Sequence, residues 1–526
     1  MKSLVLSAVA LGAFVVPAIA SDLKVVNYRT IPHQKPRSKF ARHSLKARSS
    51  GSLQADLTND VVLYAISVNV GNPAQNISVQ IDTGSSDLWF PVTGSQLCDI
   101  SDGLCDQLGS YDTRSGSPKD LNLPFLIEYG GGTVVKGDFL ADTVQVGSAT
   151  LTSVHFAACS TGSSTSGVQG IMGIGYEDGE TTVVGAGSGE PGAAKYTNII
   201  GEMVRQGVIN SLAYSLWLND PNSADGNVLF GGVDTEKFSG TLISMPVVPD
   251  SITGGFTSLS LPLTAIAVSA DGQAFTFTAS TFASAALIDS GTTLMYLPND
   301  IVDAIWTSLQ VTVARGDTPL LPCSVGNDPS AKMTFTFNGD NGAKIDVLLT
   351  DLLAEVDATI SGQPACELLI TGGAPEGLII LGDAFMRSAY ITYDLTNNMI
   401  AIAQTKFNTS DSNIQEINSS GIPGASVMST LVSGLASQTG AAATDVPPAR
   451  LTGAGSFSTS PAGSAALEKT ATPPTFGITG TGATGASATH KNAASSVQSP
   501  MFNIVGALTC TITLMSFLGG AMMVWF

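Results

Sequence analysis

Two short motifs, Asp82-Thr83-Gly84-Ser85 and Asp289-Ser290-Gly291-Thr292, each close an apolar run and lie 207 positions apart. One Asp-Thr-Gly constrains little, because turns favour all of these residue types. Two of them, each with a hydroxyl residue on either side of the glycine, describe a duplicated half-site. The preceding runs, Ile77-Ser78-Val79-Gln80-Ile81 and Ala285-Ala286-Leu287-Ile288, read as strands, which deliver each carboxylate at the tip of a tight turn. Two such turns meeting across a pseudo-twofold axis put two carboxylates side by side.

Like charges that close do not both ionise cheaply, so the pair holds one proton over a range of acidic pH. The ionised carboxyl can then take a proton from water while the protonated one polarises a peptide carbonyl, which is general acid-base hydrolysis without a covalent intermediate. Glycine at the third position of each motif lets the backbone approach its symmetry mate and the substrate. Ser85 and Thr292 are placed to donate hydroxyl hydrogen bonds to the outer carboxylate oxygens.

From about residue 58 to 407 the chain resembles the pepsin-like aspartic proteases. Each lobe of that family carries a second apolar-apolar-Gly element, and Gly170-Ile171-Met172-Gly173 and Leu378-Ile379-Ile380-Leu381-Gly382-Asp383 stand where those belong. Tyr129-Gly130-Gly131-Gly132 looks like the flap hairpin that closes over substrate, and Trp89 resembles the residue whose indole supports the flap tyrosine. The resemblance implies an all-β, bilobal fold with two pseudo-twofold-related lobes, 58–235 and 236–407, and a few short helices. It implies an aspartic-type endopeptidase with Asp82 and Asp289 as the catalytic pair. Thr83, Ser85 and Ser290 would supply hydroxyl support, and Gly84, Gly291, Thr292, Trp89, Tyr129, Gly130 and Gly131 would meet substrate or carry the flap. Gly131 departs from the family, which usually has Thr, Ser or Asp there, so flap contact should rest on backbone groups. Three consecutive glycines also predict a more mobile hairpin. Of the six cysteines, the resemblance pairs Cys98 with Cys105 and Cys323 with Cys366. Cys510 lies in the terminal tail, and Cys159 is left as a buried thiol in a strand.

Composition agrees with this class. Charged residues make up 12% of the chain and there are 56 glycines, which fits many short strands joined by turns. Helical spacing of apolar residues predicts short helices at Thr197 to Gly207 and Pro298 to Leu309. The four histidines are scattered, His155 reads as a structural residue, and no cluster has zinc spacing, so neither a metal nor a cofactor is expected.

The ends of the chain indicate where it works. Residues 1–20, with Lys2, an apolar run and Ala18-Ile19-Ala20, form a secretory signal peptide. Residues 21–48 carry eight Lys or Arg against one Asp and read as a basic propeptide, with Lys46-Ala47-Arg48 as a maturation site. Setting that net +7 and Lys2 aside from the formal −19 leaves −27 on the remainder, so the strip can lie across an acidic cleft as an inhibitor. The alternative, a basic arm for nucleic acid, conflicts with the signal peptide. Residues 408–492 are rich in Ser, Thr, Ala and Gly and are expected to form a disordered, O-glycosylated stalk. The uncharged apolar segment Met501 to Phe526 follows small residues and a polar spacer, the pattern of a glycosylphosphatidylinositol (GPI) signal removed as 493–526, with Asn492 as the anchored residue and Ala494 or Ser495 as alternatives. A transmembrane helix competes, but no Lys or Arg follows it. Sequons at Asn76, Asn408 and Asn418 suit a secreted chain.

This layout resembles the fungal yapsin group, which implies a monomeric cell-surface endopeptidase acting on secreted or wall proteins, often after Lys or Arg. The acidic surface either draws in cationic peptides or merely maintains solubility. A catalytically inactive adhesive protein should have lost an Asp, a Gly or the flap Tyr, and all are present. A vacuolar digestive protease would have no use for a stalk and anchor signal.

Overall fold

A computed structural model describes residues 26–33 and 63–435, apart from 102, 117, 131, 164–168, 185–194, 222–225, 252, 271, 315–317, 361 and 374–377. Residues 1–20, expected to be a signal peptide, residues 34–62, Gly131, Asn492 and the terminal apolar segment therefore lie outside the described residues.

Each aspartate ends a strand, and each strand is paired in the same way. Gln75–Asp82 runs parallel to Ile171–Gly173, with Ile81 opposite Met172 and Asp82 opposite Gly173. Ser284–Ile288 runs parallel to Ile379–Leu381, with Ile288 opposite Leu381. A third strand then returns antiparallel to the second element in each half, Leu88–Pro91 in one and Met295–Tyr296 in the other. The duplicated apolar-Gly elements thus lock the two aspartate turns from beneath. The glycines are required there, because a Cβ on Gly173 would lie 2.6 Å from the Asp87 amide nitrogen and one on Gly382 would meet the Thr292 and Leu294 carbonyls.

Around these motifs the chain is mostly strand. The N-terminal strands and a platform formed by Ala213–Trp217, Gly226–Phe230, Phe238–Pro246, Ala389–Asp394 and Met399–Thr405 belong to one fourteen-stranded sheet among the described residues. The C-terminal half has its own eight-stranded sheet built on Ser260–Ala270 and Lys332–Phe337. The last two strands of the platform come from the far end of the sequence and pair with strands from its middle, which ties the lobes together. The expected helices form as Ile199–Arg205, capped by Asn198 Oδ1 accepting from the Gly201 amide at 3.0 Å, and as Asn299–Leu309.

Two segments carry strand pairings that the sequence reading did not include. Within residues 21–48, read from the sequence as a basic propeptide, Val26–His33 is a sheet strand, antiparallel to Gly226–Phe230 on one side and to Leu63–Val70 on the other. Charge marked this strip as basic, but Val26-Asn27-Tyr28-Arg29 also alternates, and pairing with a strand on each side satisfies its backbone.

Residues 408–435, the start of the segment read as a stalk, also carry sheet pairings. Ile414–Glu416 pairs with Gly232–Asp234, and Ser426–Val427 pairs parallel with the edge strand Phe238–Pro246. Ile417 is fully buried beside Trp217, Val233 and Tyr390. The carboxylate of Asp234 accepts from the Ser412 hydroxyl and the Asn413 amide, each at 2.7 Å. Residues 408–435 need no core of their own, because they lend one isoleucine to an existing core and cover a sheet edge. A chain ending at Phe407 should therefore melt about 2 to 3 °C below one ending at Leu435, since burying Ile417 contributes about 2 kcal/mol. Equal melting temperatures by calorimetry would show that this strap adds nothing.

Candidate active site

The two aspartate turns interlock through their middle residues. Thr83 Oγ1 donates to the Ile288 carbonyl at 2.8 Å and accepts from the Ser290 amide at 3.0 Å. Ser290 Oγ donates to the Ile81 carbonyl at 2.9 Å and accepts from the Thr83 amide at 3.2 Å. Four bonds cross between lobes, and each hydroxyl both donates and accepts, which is why a Thr and a Ser can share the task.

This lock fixes where the carboxyls lie. Asp82 Oδ1 accepts from the Gly84 amide at 2.8 Å and its Oδ2 from the Ser85 hydroxyl. Asp289 repeats the pattern, with Gly291 N–H at 2.8 Å from Oδ1 and Thr292 Oγ1 at 2.5 Å from Oδ2. The glycines mark the contact between halves. A Cβ on Gly84 would stand 2.6 Å from Asp289 Oδ1, and one on Gly291 would overlap the Asp82 carboxyl. Any larger residue would push the carboxyls apart.

Both aspartates are largely withdrawn from water, 4% exposed at Asp82 and 7% at Asp289. Burial first, and the adjoining Asp289 carboxylate second, raise Asp82 well above the ordinary carboxylate range, against the lowering effect of the Ser85 and Gly84 bonds. Such a pair keeps a proton where an isolated aspartate would have lost it.

The hairpin expected to act as the flap is formed by Lys119–Glu128 and Val134–Val146. Its tip is closed by the Tyr129 amide donating to the Thr133 carbonyl at 2.9 Å and the Gly132 amide to the Tyr129 carbonyl at 2.8 Å. The fully buried Trp89 donates its indole N–H to the Tyr129 hydroxyl at 2.7 Å. Gly130 lies exposed at this tip.

Disulfides join Cys98 to Cys105 and Cys323 to Cys366, and Cys159 is a buried free thiol. Asn76, Asn408 and Asn418 are all exposed. Among the described residues no group of three or more His, Cys, Asp or Glu is placed to hold a metal ion. A cavity of about 490 Å³ lined by Lys332, Asp346, Asp351 and Phe407 shares no residue with the aspartate motifs.

Two features were not singled out from the sequence. Gln80, two residues before Asp82, reaches across to the other half-site, and strand alternation was the signal that could have found it. The second is a buried acidic group behind the first motif. Asp87 accepts from the Tyr196 hydroxyl at 2.7 Å and the Thr181 amide at 3.0 Å, and the buried Glu180 accepts from the Tyr196 amide at 3.0 Å. No local pattern announces contacts between residues this far apart.

Two β lobes that bring one Asp-Thr/Ser-Gly turn each to a shared, interlocked centre define the pepsin-like class of bilobal acid peptidases. The chain belongs to the eukaryotic aspartyl protease family, whose profile matches residues 63–405, and it is an aspartic-type endopeptidase. It is 35% identical over 450 residues to the probable aspartic-type endopeptidase opsB of Aspergillus oryzae, covering 82% of this chain and 89% of that one. It is 32% identical over 426 residues to the aspartic proteinase yapsin-3 of Saccharomyces cerevisiae, covering 80% and 81%. Secreted aspartic protease 1 of Candida albicans is 37% identical over 374 residues, covering 69% and 86%. The crystal structure of the aspartic proteinase from Irpex lacteus has the same fold, with a TM-score of 0.54 and 23% identity, covering 68% of this chain and 98% of that one.

Proposed function

We propose that Asp82 and Asp289 carry the hydrolysis. A water bound between them gives a proton to the ionised carboxyl as its oxygen attacks the scissile carbonyl carbon, and the protonated carboxyl donates to the carbonyl oxygen. In the collapse of the tetrahedral gem-diol, the carboxyl that took the water proton passes it to the amide nitrogen as the C–N bond breaks, and a gem-diol hydroxyl returns its proton to the other carboxyl as the new carbonyl forms, so the pair ends with the one proton it began with. The observation that carries this reading is the four-bond lock through Thr83 and Ser290, which holds two buried carboxyls in contact at a cost only a function would justify. Trp89 supports Tyr129 on the flap, and the exposed Gly130 offers its backbone to substrate.

The basic segment 21–48 acts as the enzyme's own inhibitor, anchored by the strand Val26–His33 and released as acidic groups protonate. The mature chain works at the outer cell surface as a monomer, held by a GPI anchor at Asn492 and N-glycosylated at Asn76, Asn408 and Asn418. Its acidic surface favours peptides with Lys or Arg near the cut, and secreted or wall proteins are its substrates. Two relatives named as secreted and as a yapsin support that location. The deciding experiment is hydrolysis of a peptide library between about pH 3 and 7 by enzyme ending before the anchor signal. Acid-dependent cuts beside Lys or Arg are expected. Cuts without such a bias would remove the basic preference, and no cleavage by processed, folded protein would overturn the reading as a whole.

A further inference from the structure

The lock between the half-sites is symmetric, but one polar contact beside it is not. Two residues before each aspartate stand Gln80 on one side and Leu287 on the other. Strand alternation puts each on the same face as its aspartate. Gln80 is 5% exposed, and its backbone amide is held by the Gly170 carbonyl at 2.9 Å. Its side-chain Nε2 crosses the lobe boundary and donates to the Gly291 carbonyl at 2.9 Å, while its Oε1 accepts from Gln169 Nε2 at 2.9 Å. The orientation of this amide follows from chemistry, since a backbone carbonyl only accepts and so the nitrogen must face Gly291. Leu287 has no donor, so the Gly84 carbonyl receives no matching bond from that position.

Gly291 is the residue whose N–H holds Asp289 Oδ1, and the next residue, Thr292, holds Oδ2. Clamping the Gly291 carbonyl fixes the peptide plane between these two donors, at a residue type with the widest backbone freedom. We propose that Gln80 is a positioning residue for the reaction. Reaching over from the Asp82 half-site, it holds the peptide that orients Asp289, and the Gln80/Leu287 difference makes the two half-sites inequivalent, so each carboxyl keeps a fixed part in proton transfer. Gln169 acts one step further back by keeping the Gln80 amide turned the right way. The inference rests on the assignment of Asp82 and Asp289 as the reacting pair.

The test compares Gln80→Leu, Gln80→Glu and Gln169→Leu with the parent enzyme, on one peptide across about pH 3 to 7. Gln80→Leu copies the residue of the other lobe and should lower kcat about tenfold or more, as small misplacements of reacting groups do. KM should stay within about twofold, since uniform binding is untouched. The melting temperature should hardly change, and the pH–rate profile should change shape. Gln80→Glu gives the sharper signature. Protonated, its O–H can still donate to the Gly291 carbonyl, whereas ionised it turns an acceptor toward an acceptor. Its activity should stand near the parent's at the lowest pH and fall more steeply as pH rises. Gln169→Leu should show a smaller loss in kcat. An unchanged kcat and pH profile in Gln80→Leu, with the parent active, overturns the positioning role. So do equal losses at every pH in Gln80→Leu and Gln80→Glu, which would reduce Gln80 to packing. A properly folded parent without activity strikes at the aspartate pair instead.

Discussion

Asp82→Asn and Asp289→Asn, each made alone, are expected to lower kcat by about 10³-fold or more while leaving a folded protein, because each removes one of the two groups that must exchange protons with water and carbonyl. Asparagine preserves the shape, and its carbonyl oxygen can still accept from the Gly84 or Gly291 amide. What it cannot do is take or give the proton. Neither carboxyl substitutes for the other, since the lock holds one on each side of the dyad. Asparagine also removes the cost of keeping a buried carboxyl protonated at a pH where it would ionise in the unfolded chain. The Asp82→Asn protein should therefore melt no lower than the parent at neutral pH, where Asp82 is held against its tendency to ionise. Steady-state kinetics with a peptide substrate and calorimetry on the same samples check both halves. A variant that retains more than a tenth of the parent's kcat would disqualify that aspartate, and one that loses activity together with its fold would make the residue structural.

The site was legible in the sequence because its chemistry is local and duplicated. Asp, Gly and the two hydroxyl residues of each motif are adjacent in the chain, and the hydrogen bonds from Gly84, Ser85, Gly291 and Thr292 to the carboxyls all span two or three residues. The pairing of the halves followed from the repeat. What escaped was long-range or lay in a biased segment. The Gln80 bond to Gly291 spans 211 positions, and the Tyr196 bond to Asp87 spans 109. Ile417 sits in a stretch whose Ser- and Gly-rich average concealed one buried side chain and two short strand pairings. Composition describes whether a segment can form its own core, not whether it can join another.

Neutral pH should destabilise this protein. Glu180 is raised to about 9, by burial first and then by the Asp87 and Glu177 carboxylates, against the Tyr196 amide bond and the Lys195 ammonium. Burial also lifts Asp87 to about 6, Glu367 to about 7 and Asp351 to about 6. Each of these groups binds its proton more tightly in the folded protein than in the unfolded chain, where carboxyls titrate near pH 4. Their contribution to stability is therefore complete below about pH 4 and is lost as pH rises through the folded values between about 6 and 9. The formal charge of −19 adds self-repulsion in the same direction. Calorimetry should find the melting temperature at pH 7.5 about 10 °C or more below that at pH 4.5. Glu180→Gln separates the buried cluster from the general charge effect, because the amide oxygen can keep the bond from the Tyr196 amide while nothing remains to titrate. Its melting temperature should fall less steeply over that range. A parent equally stable at both pH values, or a Glu180→Gln slope identical to the parent's, would show that these buried carboxyls do not set the working pH of the fold. The expected result would make acid a condition of structure as well as of catalysis, since the group near Asp87 lies two residues from Trp89, whose indole holds the flap tyrosine.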